Sequence, residues 1–355
     1  MNLELCLGRS PSGTKVWLKE PPNPHVYISG QSGSGKSSFL KQLVWQALEQ
    51  DALCLVLDSS SDFRSCTPPD GVSFRCVDVM GPAFTLNPLA RAGQDSVACA
   101  QHLLGLLEQV CRMGPRAALE LLQVTQSYLK VESGVPSLVG LSQYVYSLSS
   151  QKPVSETVAD SVELVAYLVR CGDQPISVDL TSPGLLVLDL SQVLSQKLRA
   201  ILIEMILQTV WTQRCSESLA PSVPLIVVLD ECQGLCWGEN GMAIRILREG
   251  RKFDMAGWFC SQWLSKGPAV SALHQAALQA HFRPDDCGIA RLARTLCPGD
   301  RTEVSKYRRL LQSLRVGQFL WQRQGHVPVL VSVSPRLDPK LVNMNNFFHT
   351  KENIG

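Results

Sequence analysis

An α/β fold around a mostly parallel central sheet is the reading this 355-residue chain supports. Two observations predict it. The first is the stretch Gly30-Gln31-Ser32-Gly33-Ser34-Gly35-Lys36-Ser37, set between a short apolar strand and a helix. The second is a pair of later, wholly apolar strands, Leu53–Asp58 and Pro224–Glu231, that each run out onto acidic residues. Strands buried on both faces read as continuous apolar runs, as parallel strands covered by helices do.

Composition agrees with a globular chain. Hydrophobic residues make up 45% and charged residues 18% of the sequence, too apolar for disorder. No apolar run approaches the roughly 18 residues that a membrane span needs. The first residues, Met1-Asn2-Leu3-Glu4-Leu5-Cys6, lack a basic n-region and a long apolar core. A cytoplasmic location without a membrane span is therefore expected. The 13 cysteines are scattered, and several sit inside apolar segments, which suits reduced, buried thiols. Cys232 and Cys236 have the wrong spacing for a zinc knuckle, and His274, His281, Cys287 and Cys297 form too loose a group for a metal.

Along the chain, the proline-rich residues 1–24 leave room for one strand at Val16-Trp17-Leu18. His25–Ser29 reads as the strand that enters the glycine loop. Phe39, Leu40, Leu43, Val44, Ala47 and Leu48 then recur at helical spacing. Glycines let the loop backbone fold around a phosphate chain with its N–H groups inward, at a helix N-terminus that favours anions. The expected nucleotide contacts are Gly30, Gln31, Ser32, Gly33, Ser34, Gly35, Lys36, Ser37 and Ser38. Lys36 reaches the β- and γ-phosphates in such loops, and the Ser37 hydroxyl ligates Mg²⁺.

Another strand is expected over Val72–Val79. From about Ser96 to Arg170 the pattern becomes helical, with apolar faces such as Leu103, Leu104, Leu106 and Leu107, and Pro115 opening a second helix. Residues 96–175 are thus expected as an all-helical insertion between two parts of one core, 1–95 and 176–336, with a tail at 337–355. After the insertion come Leu185–Leu190 as a strand and a long helix near 196–213. The apolar strand ending Leu229-Asp230-Glu231 supplies the other half of a nucleotide-hydrolysis site. Asp230 is the expected Mg²⁺ ligand, and Glu231 the group that polarises the attacking water. A helix is expected over 241–253, then a strand from Met255 to Gln262. Gln262, beside the acids, is placed to sense the γ-phosphate.

Net charge is only +2, yet residues 283–336 hold ten Lys/Arg against four acids, an excess of +6. Such a segment suits either a nucleic-acid surface or a solvated helix face.

Taken together, these features resemble the FtsK/HerA superfamily of ring-shaped DNA-pumping ATPases, and within it the conjugation and type IV secretion ATPases and HerA-like proteins. The residues that carry the resemblance are Gly30–Ser37, Asp58 with Asp62-Phe63, and Leu86-Asn87-Pro88-Leu89. To these add the helical insertion before Leu229-Asp230-Glu231, the run Arg248-Glu249-Gly250-Arg251-Lys252-Phe253, and Ser261-Gln262. The resemblance implies a RecA-like P-loop NTPase that uses ATP and Mg²⁺, assembles as a homo-hexameric ring and translocates DNA, expected to be double-stranded. It further implies that Arg251 is an arginine finger for a neighbour's site and that Gln262 couples phosphate state to movement. An effector, nuclease or secretion-complex partner fits the same resemblance. So does an alternative role as a regulatory or secretion-type assembly ATPase that gates a partner protein without moving DNA. Residues 1–24 cannot supply the N-terminal β-barrel usual in HerA proteins, and Cys232-Gln233 stands where many relatives have Ala-His.

Overall fold

The computed structural model describes residues 1–81, 84, 86–89, 96–111, 113–148, 154–168, 180–215, 223–235, 237–238, 241–262, 268–297, 301–323 and 326–333. The expected tail at 337–355 lies outside them. The strands are β1 (Leu5–Arg9), β2 (Lys15–Leu18), β3 (Val26–Ser29), β4 (Leu53–Asp58), β5 (Phe74–Asp78), β6 (Gly184–Asp189), β7 (Leu225–Leu229), β8 (Met255–Ser261), β9 (Leu278–Phe282), β10 (Gln318–Gln322) and β11 (Val329–Ser332). They form one 11-stranded sheet in the order β2-β1-β11-β10-β9-β3-β8-β7-β4-β6-β5. From β9 to β5 every pairing is parallel, while β10, β11, β1 and β2 extend the sheet antiparallel. The fold is thus a RecA-like α/β sheet, mostly parallel at its centre.

Alternation along the central strands gives the sheet two apolar faces. Helix α1 (Lys36–Leu48) lays Phe39, Leu40, Leu43 and Val44 on one face, against Ile28, Val56, Val228 and Trp258. The other face carries Tyr27, Leu55, Val227 and Phe259. It is covered by α6 (Gln196–Cys215), α7 (Met242–Glu249) and α8 (Pro268–Leu273). Between β5 and β6 the described residues form the helices α2 (Ser96–Cys111), α3 (Pro115–Val131), α4 (Leu138–Leu148) and α5 (Glu156–Leu168). Their apolar residues, Leu103, Leu121, Leu141 and Val162 among them, join the same core as α6, so the helical block shares its packing with the sheet. Asn87 ties the preceding connection to this block, its amide donating to the Pro136 carbonyl at 2.8 Å. Helices α9 (Asp286–Leu296) and α10 (Arg301–Ser313) make a smaller cluster with Leu320 of β10.

Two buried polar groups on α6 brace the segments packed around it. Arg214 is 2% exposed and donates to the carbonyls of Phe253, Leu180 and Val223, which fastens the chain just before β8. Glu204, 4% exposed, accepts the N–H of Met242 at 2.7 Å and so caps the start of α7. Burial pushes the Glu204 carboxyl from 4.5 up to about 7, only partly offset by that N–H. The folded state therefore holds this proton more tightly than the unfolded chain does. Stability from the group is full below about 4.5 and is lost as pH rises through about 7. Glu204→Gln keeps the carbonyl acceptor and removes the charge. It should raise stability at pH 8 by on the order of 1–3 kcal/mol, seen as a higher melting temperature, and leave it unchanged near pH 4.5. A shift of equal size at both pH values would show that the carboxyl does not titrate in this range.

Candidate nucleotide site

The loop after β3 bends through left-handed glycines. Gly33 and Gly35 sit at φ 75° and 102°, and Gly30 at φ 152° has no room for a side chain. A Cβ on Gly30 would lie 2.7 Å from the Phe282 Cβ, and one on Gly35 3.0 Å from the Gly317 nitrogen. Backbone bonds hold the loop on both sides. Gly30 N–H donates to the Ser261 carbonyl at 3.3 Å, Gln31 N–H to Arg283 at 2.8 Å, and Gly317 N–H to Ser34 at 3.0 Å. The Ser34 hydroxyl closes the loop on the Gln31 carbonyl at 2.7 Å. Lys36 folds back onto that same carbonyl at 2.9 Å and is 7% exposed. Ser32, Gly33 and Ser38 face solvent.

Ser37 meets Asp230 directly, its hydroxyl donating to Oδ2 at 3.0 Å across 193 residues of sequence. The parallel pairing of β3 with β8, and of β8 with β7, puts the glycine loop and the end of β7 on one edge of the sheet. Asp230 is 4% exposed, and burial raises its carboxyl, opposed by bonds from Cys260, Ser37 and the Glu231 N–H. A cation beside it would favour the ionised form. An oxygen-only donor pair of one hydroxyl and one carboxylate suits a hard ion such as Mg²⁺, which takes its remaining ligands from water and phosphate. Ser37 and Asp230 would hold that ion.

Glu231 adopts the left-handed region, φ 59° and ψ 47°, uncommon for a side chain with a Cβ. This turns its carboxylate out from the strand end and into solvent. There the Gln262 amide donates to Oε1 at 2.7 Å. Gln262 N–H in turn meets the Gln233 amide oxygen at 3.4 Å. Lys36, Ser37, Asp230, Glu231 and Gln262 therefore stand together at the carboxyl edge.

Arg251 does not join them. It lies in the tight turn Gly250–Phe253 that precedes β8, and its guanidinium donates to the Pro22 carbonyl at 2.8 Å. Gln262 follows the far end of β8, a seven-residue strand. At about 3.3 Å per residue the two are roughly 20 Å apart, on opposite edges of the sheet. The exposed Arg251 cannot serve the nucleotide of its own chain from there.

Three placements escaped the sequence reading. Asp58, an acid at a strand end, is fully buried and accepts N–H groups from Ser60, Asp62, Phe63 and Arg64, so it builds a turn. Gln233 reaches Gln262, where the only signal was its position two residues after Glu231. The turn at Gly317 touches the loop, and no local pattern announces that contact. Among the described residues no group of three or more His, Cys, Asp or Glu could hold a metal by itself. His281 bonds Ser29 at 2.8 Å, and burial holds its ring neutral, at about 3. Of the basic segment, Arg291, Arg294, Lys306, Arg308 and Arg309 are exposed on α9 and α10.

Residues 12–97 match the family model described as the central domain of the helicase HerA. VirB4 of Thermoanaerobacter pseudethanolicus superposes with a TM-score of 0.73 at 17% identity, over 95% of this chain and 98% of that one. The bacterial conjugative coupling protein TrwB superposes at 0.60 with 12% identity, over 88% of this chain and 85% of that one. TrwB in complex with ADP and Mg²⁺ gives 0.58 at 14% identity, with the same coverage. No curated protein matches the sequence. No helix among the described residues is long and apolar enough to cross a membrane.

Proposed function

We infer that this chain, a P-loop ATPase of the FtsK/HerA type, is the ATP-hydrolysing subunit of a ring that moves double-stranded DNA. The observation that carries the hydrolytic part is the Ser37–Asp230 bond, with Glu231 and Gln262 beside it on the same edge. The loop N–H groups and Lys36 bind the phosphates, and Lys36 exchanges its contact with the Gln31 carbonyl for them. Mg²⁺, when bound, neutralises phosphate charge. Glu231 takes the proton of the attacking water. Gln262, freed from Glu231 when a γ-phosphate attracts its amide, reports the bound state to β8. Arg251, on the opposite edge, supplies its charge to a neighbouring subunit, which gives hydrolysis a reason to require the ring.

The DNA part rests on the exposed basic residues of α9 and α10 and on the likeness to a helicase domain and a conjugative coupling protein. The same catalytic edge would serve an assembly ATPase that gates a protein partner. Steady-state ATPase rates of the assembled protein, with no DNA, double-stranded DNA or single-stranded DNA, separate the two. Stimulation strongest with double-stranded DNA is expected. A rate that responds to a partner protein and not to DNA would assign the second role.

A further inference from the structure

We propose that the turn Arg315-Val316-Gly317-Gln318 is the seat of the nucleoside end of the bound nucleotide, with Val316 as the apolar platform for the base. The proposal rests on the ATP reading of the glycine loop and says where the rest of the molecule lies. The metal-binding pair Ser37–Asp230, with Glu231 and Gln262, sits on the β8–β7 side of the loop. The terminal phosphate must therefore point that way. A nucleotide laid along the loop then runs its ribose and base toward the opposite side, over β9 and β10.

On that side the loop is met by a surface with little freedom. Gln318 N–H donates to the Arg315 carbonyl at 3.0 Å, and Gly317 has φ 78°, the geometry of a type II turn with glycine at its third position. The Gln318 side chain accepts from the Arg315 N–H at 3.1 Å and donates to the Ser332 hydroxyl at 3.2 Å. Gly317 binds the Ser34 carbonyl on one side and accepts the Val333 N–H at 2.8 Å on the other. Val316 is at the tip of this pinned turn and is 77% exposed. Among the described residues no core packing calls for an aliphatic side chain there, whereas a flat base stacked over it would cover it. Arg315 in the same turn, and Arg283, whose carbonyl accepts the Gln31 N–H, are exposed cations beside the loop in the chain. They suit the α-phosphate and the π face of a base.

The test uses two ligands on the full chain. Isothermal titration of ATP and of inorganic tripolyphosphate is compared for wild type, Val316→Ser and Val316→Leu. Val316→Ser removes apolar surface without adding charge at an exposed position, so the loop stays intact. It should weaken ATP about 10-fold, as loss of a buried aliphatic contact does. Tripolyphosphate, which has no base, should bind as in wild type, and Val316→Leu should restore ATP. Equal weakening of both ligands, or ATP binding indifferent to Val316→Ser, would overturn the assignment. A wild type that binds neither ligand would overturn the ATP reading itself and this inference with it.

Discussion

Arg251→Ala should bind ATP as the wild type does and hydrolyse it about 10³-fold or more slowly, the usual worth of an arginine finger. The reasons are positional. The Arg251 guanidinium donates to the Pro22 carbonyl and is exposed, so its removal disturbs no core packing among the described residues. It also sits about 20 Å from the edge that holds Lys36 and Glu231, by the rise of the seven-residue β8, and so adds nothing to ground-state binding in its own chain. A charge presented by a neighbour matters most when negative charge shifts toward the leaving phosphate. Affinity measured by a fluorescent ATP analogue and turnover measured on the assembled protein should therefore part company. Loss of both together would place Arg251 in folding or assembly instead.

Glu231→Gln should hold nucleotide but turn over at least about 10²-fold more slowly, the contribution of a positioned general base. Glutamine fits the left-handed backbone as well as glutamate does, and Asp230 keeps its bond to Ser37. The partner amide of Gln262 then faces an amide rather than a carboxylate, which still offers an oxygen acceptor. What the variant loses is the carboxylate proposed as the base. Near-normal turnover in this variant would remove Glu231 from the chemistry.

Legibility in the sequence followed locality. The loop, its strand and α1 are contiguous, so one window of sequence displays all three. Asp230-Glu231 announces itself by ending an apolar run, and its meeting with Ser37 follows from β7 and β3 both being parallel strands. Less was visible where contacts are distant. Val16–Leu18 reads as a strand, but Leu5–Arg9 does not, because its pairing with β11 joins residues more than 300 positions apart, Arg9 with Ser332. The helix expected over 241–253 ends as α-helix at Glu249, and the tight turn Gly250–Phe253 follows. Gly250 backs so closely on Met255 that a Cβ would lie 3.0 Å from its carbonyl oxygen. The same geometry moves Arg251 away from Gln262. Eleven positions of sequence look like proximity, yet a strand runs between them and carries them to opposite edges. The contact of Gly317 with the loop had no signal, since a turn glycine looks alike wherever it lands.

Complementation between two inactive variants tests most directly whether the site is completed by a second copy. Lys36→Ala protein keeps Arg251 and loses the lysine proposed to hold the phosphates, while Arg251→Ala protein keeps an intact loop. Each alone should be nearly inactive. Mixed in equal amounts, with co-assembly followed in the same samples by mass photometry, they should recover part of the wild-type rate wherever an intact loop faces an intact arginine. Mixed assemblies that form and remain inactive would contradict a role for Arg251 across the subunit boundary.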